Sequence, residues 1–267
     1  MTRVAIPGCA GRMGRALVQA LAEAEDLELC AASEAAGSPA LGADAGTLAG
    51  LAPLGVTVTA DPEQLLAAAE GVINFTAPAA SLEMARRCAE RGLPLVVGTT
   101  GLSADQRGRL VEAARRIPLV FAANMSVGVN VLLRLCAEAA RLLGPGWDIE
   151  IVEAHHDRKA DAPSGTALRL AEVLAEATGG GLEQRAQHGR RGQTGARRPE
   201  EIGLHALRGG DIVGEHTVYL CTSGERLELT HRASSRRTFA AGALRALRWA
   251  RGRRPGLYDM EHVLGLK

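Results

Sequence analysis

Residues 3–14 read Arg-Val-Ala-Ile-Pro-Gly-Cys-Ala-Gly-Arg-Met-Gly, and this stretch predicts a strand, a tight turn and the start of a helix. The run from Arg3 to Pro7 is mainly apolar, as a buried strand requires, and residues 15–24 have the apolar spacing of a helix. Between them the glycines follow the order Gly-x-x-Gly-x-x-Gly, one residue looser than the standard dinucleotide fingerprint. Glycine allows close backbone approach to a ligand, and the free amides of a helix start attract pyrophosphate.

An acidic residue further along supports the same interpretation. Glu34 lies twenty positions beyond Gly14, at the end of a second predicted strand, Leu27 to Ser33. A carboxylate at this place can accept hydrogen bonds from a ribose diol. The alternative is a glycine-rich turn that binds nothing, but the order strand, loop, helix, strand and acid favours a dinucleotide cofactor.

The first half of the chain continues this alternation up to Ser126. Further strands are predicted at 56–59, 71–76, 94–98 and 118–122, and helices begin at Pro62, Pro78 and Ser103. Regular alternation predicts a doubly wound α/β domain whose parallel sheet is covered on both faces.

After Ser126 the pattern changes to that of an α+β unit. Helices are predicted at 127–143 and 163–178 around a strand at 148–155, followed by strands at 202–207, 212–222 and 226–233. Strands in succession indicate an antiparallel or mixed sheet. A last helix is predicted at 237–251.

Charge and cysteine content favour a small-molecule enzyme. The 267 residues carry 31 basic and 30 acidic side chains, so the net charge of +1 gives no field that would recruit nucleic acid or a membrane surface. The five cysteines are scattered and never form a Cys-x-x-Cys pair, which argues against disulfides and a structural zinc site. Without a signal-peptide pattern, a reducing cytoplasm is the expected location.

The richest chemistry lies in residues 153–167, Glu-Ala-His-His-Asp-Arg-Lys-Ala-Asp-Ala-Pro-Ser-Gly-Thr-Ala. Amides at a helix start near Gly165 and Thr166 would hold an anion, and the Lys159 ammonium would add a charge-assisted bond to a carboxylate. A histidine that titrates near neutrality could supply a proton after hydride arrives. The segment therefore fits reduction of an unsaturated acid.

Simpler explanations exist for several of these residues. A histidine or lysine at a strand end is often only solvated, and Asp161 is predicted to cap the helix that Pro163 opens. A metal site is not expected, since adjacent strand residues such as His155 and His156 point to opposite faces and no further Cys/His cluster has ligand spacing.

Residues 153–167 closely resemble the signature E-x-H-H-x-x-K-x-D-x-P-S-G-T-A of the dihydrodipicolinate reductase family. Further blocks similar to that family run along most of the chain in the same order. They are residues 4–14, 97–101 (Val-Gly-Thr-Thr-Gly), 121–130 (Phe-Ala-Ala-Asn-Met-Ser-Val-Gly-Val-Asn), 210–216 (Gly-Asp-Ile-Val-Gly-Glu-His) and 230–239 (Thr-His-Arg-Ala-Ser-Ser-Arg-Arg-Thr-Phe).

The resemblance implies a domain organisation and an activity. Residues 1–126 and 236–267 would form the dinucleotide-binding domain, and residues 127–235 a substrate-binding and tetramerisation domain of a homotetramer. The implied reaction is reduction of 4-hydroxy-tetrahydrodipicolinate, after loss of water, to tetrahydrodipicolinate in the diaminopimelate route to lysine. Closure of the two domains would exclude water.

The resemblance also implies site residues for NADH or NADPH and for a small dicarboxylate. The pyrophosphate would be held by Gly8, Cys9, Ala10, Gly11, Arg12 and Met13, and the adenosine ribose by Glu34. The nicotinamide side would be lined by Gly98, Thr99, Thr100, Ala122, Ala123, Asn124 and Met125. His155 and Lys159 would be the catalytic residues, His155 as proton donor or acceptor and Lys159 as its partner donor and carboxylate anchor. His156, Gly165 and Thr166 would grip the two carboxylates.

Two departures from the family pattern bear on the cofactor. Ala35 stands where many members carry an arginine that can meet the 2′-phosphate of NADPH, and Ala77 stands where some members carry a second arginine. Arg12 could offset part of that loss. We therefore expect NADH to be used at least as well as NADPH.

Two other functions are consistent with the first half of the chain. One is a different nicotinamide enzyme, such as an aspartate or homoserine dehydrogenase-like protein, and the other is a non-catalytic dinucleotide sensor. Neither requires the His-His-x-x-Lys segment beside a helix start. The Arg- and Gly-rich residues 185–198 lack the interleaved aromatics of a nucleic-acid site and are predicted to be a solvated, mobile loop.

Overall fold

A computed structural model describes residues 1–267, which divide into two compact units. Unit 1 comprises Met1–Val127 and Arg236–Lys267, and unit 2 comprises Gly128–Ser235. The strands are β1 (Thr2–Pro7), β2 (Leu27–Ser33), β3 (Val58–Thr59), β4 (Gly71–Asn74), β5 (Leu95–Val97), β6 (Pro118–Phe121), β7 (Asp148–His155), β8 (Ala186–His188), β9 (Ile202–Arg208), β10 (Gly214–Thr222), β11 (Glu225–Ala233) and β12 (Gly256–Tyr258). The helices are α1 (Arg12–Ala22), α2 (Ala45–Leu48), α3 (Pro62–Leu66), α4 (Pro78–Arg91), α5 (Ala104–Ala114), α6 (Val127–Leu143), α7 (Gly165–Ala177), α8 (Arg237–Ala250) and α9 (Met260–Leu264).

Unit 1 is built on a seven-stranded parallel sheet in the order β12-β6-β5-β4-β1-β2-β3. Successive residues of β1 face opposite layers, because Val4 and Ile6 pack with α1 and α8 while Ala5 packs with α4 and α5. The strand order reverses at β1, between β2 and β4. Ligands of doubly wound sheets bind at the carboxyl ends of the strands beside such a reversal.

Unit 2 is built on a mixed five-stranded sheet in the order β11-β10-β7-β9-β8. The pairs β10–β11 and β10–β7 are antiparallel, whereas β7–β9 and β8–β9 are parallel. Helices α6 and α7 cover one face, where Ile149 and Ile151 of β7 pack against Leu170 and Leu174. Glu153 and His155 continue the same alternation toward the end of β7, so both lie on this helix-covered face.

The predicted fold class is confirmed in both halves. The bounds of β2, α4, α6 and β7 agree with the sequence pattern, while the short elements α2, β8, β12 and α9 were not predicted. The prediction that Asp161 caps α7 is wrong. Ser164 is the N-cap, its hydroxyl accepts the amide of Ala167 at 3.2 Å, and Pro163 precedes the helix instead of opening it.

The Arg- and Gly-rich residues 185–198 are not a freely solvated loop. They contain β8, and Arg190 donates to both carboxylate oxygens of Glu150 on β7, at 3.0 and 2.7 Å. Arg197 donates to the same carboxylate at 2.9 Å and to Asp148 at 2.7 Å. Charge pairing thus attaches the segment to the sheet face opposite α6 and α7. No helix of the chain is long and apolar enough to span a bilayer.

Candidate active site

The glycine-rich turn after β1 leaves no room for larger residues. Gly8 has a φ of 72°, in the left-handed region that favours glycine. A Cβ on Gly14 would lie 2.1 Å from the carbonyl oxygen of Gly8, so α1 begins directly against the turn. Gly11 is the N-cap of α1 and supplies no side-chain acceptor to its first amides. These first-turn amides, with the positive end of the helix dipole, fit an anionic pyrophosphate.

Glu34 lies beside this turn, as a ribose ligand would. Its Oε1 accepts the amide of Ala10 at 2.7 Å, and Ser33 accepts the amides of Gly8 and Cys9 at 2.8 and 3.2 Å. The turn and the end of β2 are therefore tied together. The next residue, Ala35, is exposed.

The carboxyl ends of β4 and β5 lie next to the turn. A Cβ on Gly8 would meet the methyl group of Thr76 at 2.9 Å, and a Cβ on Gly98 would overlap the ring of Phe75 at 2.1 Å. The hydroxyl of Thr99 donates to the carbonyl of Thr76 at 2.9 Å. Glycine at positions 8 and 98 therefore lets the ends of three neighbouring strands of the sheet, β1, β4 and β5, approach one another.

Two predicted cofactor residues have side chains in the core and can offer only backbone atoms. Cys9 and Met125 are each 1% exposed and belong to the core of unit 1. Burial raises the pKa of the Cys9 thiol to about 11, so it stays protonated. Of the others, Gly11, Arg12, Thr100 and Ala123 are exposed; Gly98 and Thr99 are buried; Gly8, Ala10, Met13, Ala122 and Asn124 are partly buried.

In unit 2, the end of β7 is organised by a carboxylate, Glu153, to which the sequence pattern alone assigned no function. Glu153 is 1% exposed, and its Oε2 lies 2.5 Å from Nδ1 of His155. Arg208, at the end of the neighbouring strand β9, donates to both oxygens of Glu153 at 2.8 Å. The amide of Ser164 donates to Oε1 at 3.0 Å. One buried carboxylate therefore joins two strands and the start of α7.

His216 extends this cluster from β10. It is paired in register with Glu153, and its Nε2 lies 3.0 Å from the hydroxyl of Ser164. Its ring packs edge to face with that of His155, with centroids 5.2 Å apart. Burial, together with the nearby charge of His155, lowers the pKa of His216 to about 3, so this ring is neutral.

The predicted substrate residues surround the same helix start. Gly165 and Thr166 form the first turn of α7, and the Lys159 ammonium contacts both oxygens of Asp161 at 2.8 Å. His156 is partly buried, and its Nδ1 has no hydrogen-bond partner. The segment thus presents a lysine, a histidine donor and helix-start amides, a set suited to carboxylates.

The protonation of His155 is set by opposing effects. Burial lowers its pKa, the carboxylate of Glu153 raises it, and the charges of Lys159 and Arg208 lower it further, so the net direction is below the ordinary value. The pKa of Glu153 is lowered too: burial would raise it, but hydrogen bonds from Arg208, His155 and the Ser164 amide outweigh that.

Three residues of this cluster were missed at the sequence level. Glu153 could have been found, because it lies two positions before His155 on a strand and must share its face. His216 ends the family-like block 210–216, but its approach to Glu153, like that of Arg208, depends on the register of β10 and β9 against β7, which the sequence does not show.

Comparison with known proteins now identifies the family. The model of the dihydrodipicolinate reductase N-terminus matches residues 2–125, and that of the C-terminus matches residues 128–264. The chain belongs to the dihydrodipicolinate reductase family. Its fold is that of the family, and neither an aspartate or homoserine dehydrogenase-like enzyme nor a sensor accounts for both matches.

Relatives in this family are similar in sequence to this chain over nearly its full length. A 4-hydroxy-tetrahydrodipicolinate reductase of Anaeromyxobacter dehalogenans strain 2CP-1 is 53% identical over 267 residues, covering 100% of this chain and 99% of the relative. That of Alkalilimnicola ehrlichii is 55% identical over 265 residues, covering 99% of each. A dihydrodipicolinate reductase from Paenisporosarcina sp. TG-14, solved with dipicolinate bound, matches with a TM-score of 0.77 and 25% identity over 97% of each chain.

Proposed function

We propose that this member of the dihydrodipicolinate reductase family reduces 4-hydroxy-tetrahydrodipicolinate to tetrahydrodipicolinate with a reduced nicotinamide dinucleotide. Loss of the hydroxyl as water gives the unsaturated diacid dihydrodipicolinate. One hydride and one proton then add across its double bond, and the cofactor is released oxidised. The observation that carries the proposal is the arrangement of His155, Lys159 and the start of α7 in a chain that both family models match.

The substrate's two carboxylates are the groups that unit 2 would recognise. Lys159 would exchange the carboxylate of Asp161 for one of the substrate, and the amides at Gly165 and Thr166 would bind the other with help from His156. Charge-assisted hydrogen bonds to carboxylates are about twice as strong as neutral ones. Binding of dipicolinate, an aromatic diacid, by the Paenisporosarcina relative supports this assignment.

His155 would supply the proton. Its Nδ1 is engaged by Glu153, which leaves Nε2 as the atom that can donate to substrate. A Cβ on Gly214 would lie 3.1 Å from this Nε2, so glycine there leaves the nitrogen accessible. The bound cofactor supplies the hydride.

Unit 1 would hold that cofactor through the turn after β1 and the neighbouring strand ends. The first-turn amides of Arg12 and Met13 would meet the pyrophosphate, Glu34 the adenosine ribose, and residues 98–100 and 122–125 the nicotinamide side; the Gly11 amide itself donates to the carbonyl of Gly8 at 3.2 Å. With alanine at positions 35 and 77, no side chain there can pair with a 2′-phosphate. NADH should therefore serve at least as well as NADPH.

A homotetramer is the proposed assembly, with the five-stranded sheet as the contact surface. Both helices of unit 2 pack on one face of that sheet, and the other face carries no helix but holds the Arg- and Gly-rich segment 185–198 through Glu150. Light scattering should give four copies, and a stable monomer at micromolar concentration would contradict this.

The decisive test is a coupled assay. Pyruvate and aspartate semialdehyde are condensed by a synthase, and NADH or NADPH consumption is followed with and without this protein. His155→Ala and Lys159→Ala should each lower turnover by roughly 10²–10⁴-fold. Near-normal rates in both variants would refute the assigned functions. A tenfold or larger preference of kcat/KM for NADPH would refute the cofactor prediction.

A further inference from the structure

The buried carboxylate of Glu153 constrains the hydrogen-bonding state of His155. An ionised carboxylate only accepts hydrogen bonds, so Nδ1 of His155 must donate the contact at 2.5 Å. In the neutral ring, Nε2 then carries the lone pair, and in the protonated ring Nε2–H points away from Glu153. Without such a partner an imidazole can take either tautomer.

The carboxylate is itself held from two sides. Both of its oxygens accept from Arg208, and Oε1 also accepts the amide of Ser164. A further hydrogen bond from Arg208, to the carbonyl of Asp161 at 2.7 Å, fixes the loop that follows Lys159. The orientation of the histidine and the path of the lysine loop thus depend on one ion pair between β7 and β9.

We propose that Glu153, braced by Arg208, is a positioning residue for the reduction: it keeps His155 in the Nδ1–H tautomer with Nε2 directed to substrate. The expected effect on catalysis rests on the proposed function. The tautomer can be measured without any turnover.

Substitution of Glu153 by glutamine separates this role from packing, because the side chain keeps its shape. The NH₂ group of the new amide must take the place of one of the two carboxylate oxygens. In one orientation it faces the Ser164 amide, which can only donate; in the other it faces His155, which can become an acceptor by changing tautomer. The second arrangement leaves fewer donors unpaired. Glu153→Gln should therefore move neutral His155 toward the Nε2–H form.

The charges around His155 give the expected direction of a pH effect. It faces Glu153 on its own strand, Arg208 from β9, Lys159 from the following loop and the neutral ring of His216 from β10. Glu153 is the only anion among them. Its removal should lower the pH at which kcat/KM falls on the alkaline side by roughly one to three pH units.

The experiment combines ¹⁵N NMR of histidine-labelled protein at pH 8 with pH–rate profiles. Wild type should show an Nδ1–H His155, assigned by its loss in His155→Ala. Glu153→Gln should show increased Nε2–H and about 10²-fold lower turnover. Glu153→Asp, which retains the charge, should keep the tautomer and lose less activity.

Glu150 provides a matched control on the same strand. It also pairs with an arginine through both oxygens and lies 2.7 Å from a histidine nitrogen, but on the opposite sheet face. Glu150→Gln should leave the His155 tautomer and the alkaline limb unchanged. If Glu153→Gln does not fold, Glu153→Gln with Arg208→Gln removes the buried carboxylate together with its partly buried partner charge and should show the same tautomer change.

An Nε2–H tautomer in wild type, an unchanged tautomer in Glu153→Gln, or a changed tautomer with unchanged turnover would each overturn the proposal. Absence of any reductase activity in wild type would instead overturn the proposed function, and the NMR result would still decide the hydrogen-bonding state of His155.

Discussion

Replacement of Gly14 by alanine should damage both the stability of unit 1 and cofactor binding. The added methyl group would lie 2.1 Å from the Gly8 oxygen and 2.6 Å from Cα of Cys9, both backbone atoms that cannot rotate away. The start of α1 must therefore move by roughly 1 Å, because carbon contacts are normally above 3 Å. Overpacking of this kind costs about 1–3 kcal/mol, and alanine's better helix propensity returns about 0.5–1 kcal/mol.

At the middle of these ranges the net loss is about 1 kcal/mol, which corresponds to a decrease in Tm of roughly 2–4 °C for a domain of this size. The displacement also lengthens hydrogen bonds between first-turn amides and pyrophosphate. Since a hydrogen bond to a charged group is worth about 1.5–3 kcal/mol, the Kd for NADH should rise tenfold or more. Calorimetry and a fluorescence titration with NADH measure the two effects.

Gly108 supplies the control, because it also lies within an eleven-residue helix, α5, and a Cβ there would meet nothing within 4 Å. Gly108→Ala should stabilise the protein by about 0.5–1 kcal/mol through helix propensity and leave the Kd unchanged. If Gly14→Ala retained both Tm and Kd, the inferred contact between the turn and α1 would be refuted.

Three further predictions concern charge. Ala35→Arg should raise kcat/KM for NADPH relative to that for NADH by roughly tenfold, as one charged hydrogen bond to the 2′-phosphate would. An unchanged ratio would refute the placement of this loop beside the 2′-phosphate. Burial raises the pKa of Glu150, but hydrogen bonds from its arginine and histidine partners outweigh burial and lower this pKa from 4.5 to about 2. The free energy of unfolding should therefore fall between about pH 5 and pH 2 in an acid titration, and it should fall less in Glu150→Gln. Asp161→Asn should lower KM for the diacid by at most about fivefold, since a partly exposed ion pair is worth about 0.2–1 kcal/mol. Asp157→Asn should leave KM unchanged. A raised KM in Asp161→Asn would contradict competition between Asp161 and the substrate for Lys159.

Sequence patterns predicted the elements that have strong local signals. The helix α6 has an apolar stripe and ends at Gly144-Pro145, so both ends are visible in the sequence. By contrast, β8 is the polar tripeptide Ala186–His188, and only its pairing with β9 makes it a strand. Local pattern alone cannot predict an edge strand that depends on partners far away in sequence.

The cap of α7 shows a different limit. Asp161, Pro163 and Ser164 are all residues that favour a helix start. From the sequence alone, Asp161 as the N-cap followed by Pro163 in the first turn is a reasonable prediction. The structure selects Ser164, because the Ser164 amide is held by Glu153 and its hydroxyl is then directed to the amide of Ala167. A tertiary contact thus decided between local signals.

The cost of burying charge indicates that Glu153 and Arg208 serve function more than stability. Desolvation of a buried ion pair can exceed its mutual attraction, and replacement by apolar residues is often neutral or stabilising. An apolar pair would fill the space between β7 and β9 but could accept no hydrogen bond from His155 Nδ1 or the Ser164 amide. The histidine ring would then lose its fixed direction and the helix start its link to the strand. The ion pair therefore makes most physical sense as a means of orienting the ring that is proposed to donate the proton.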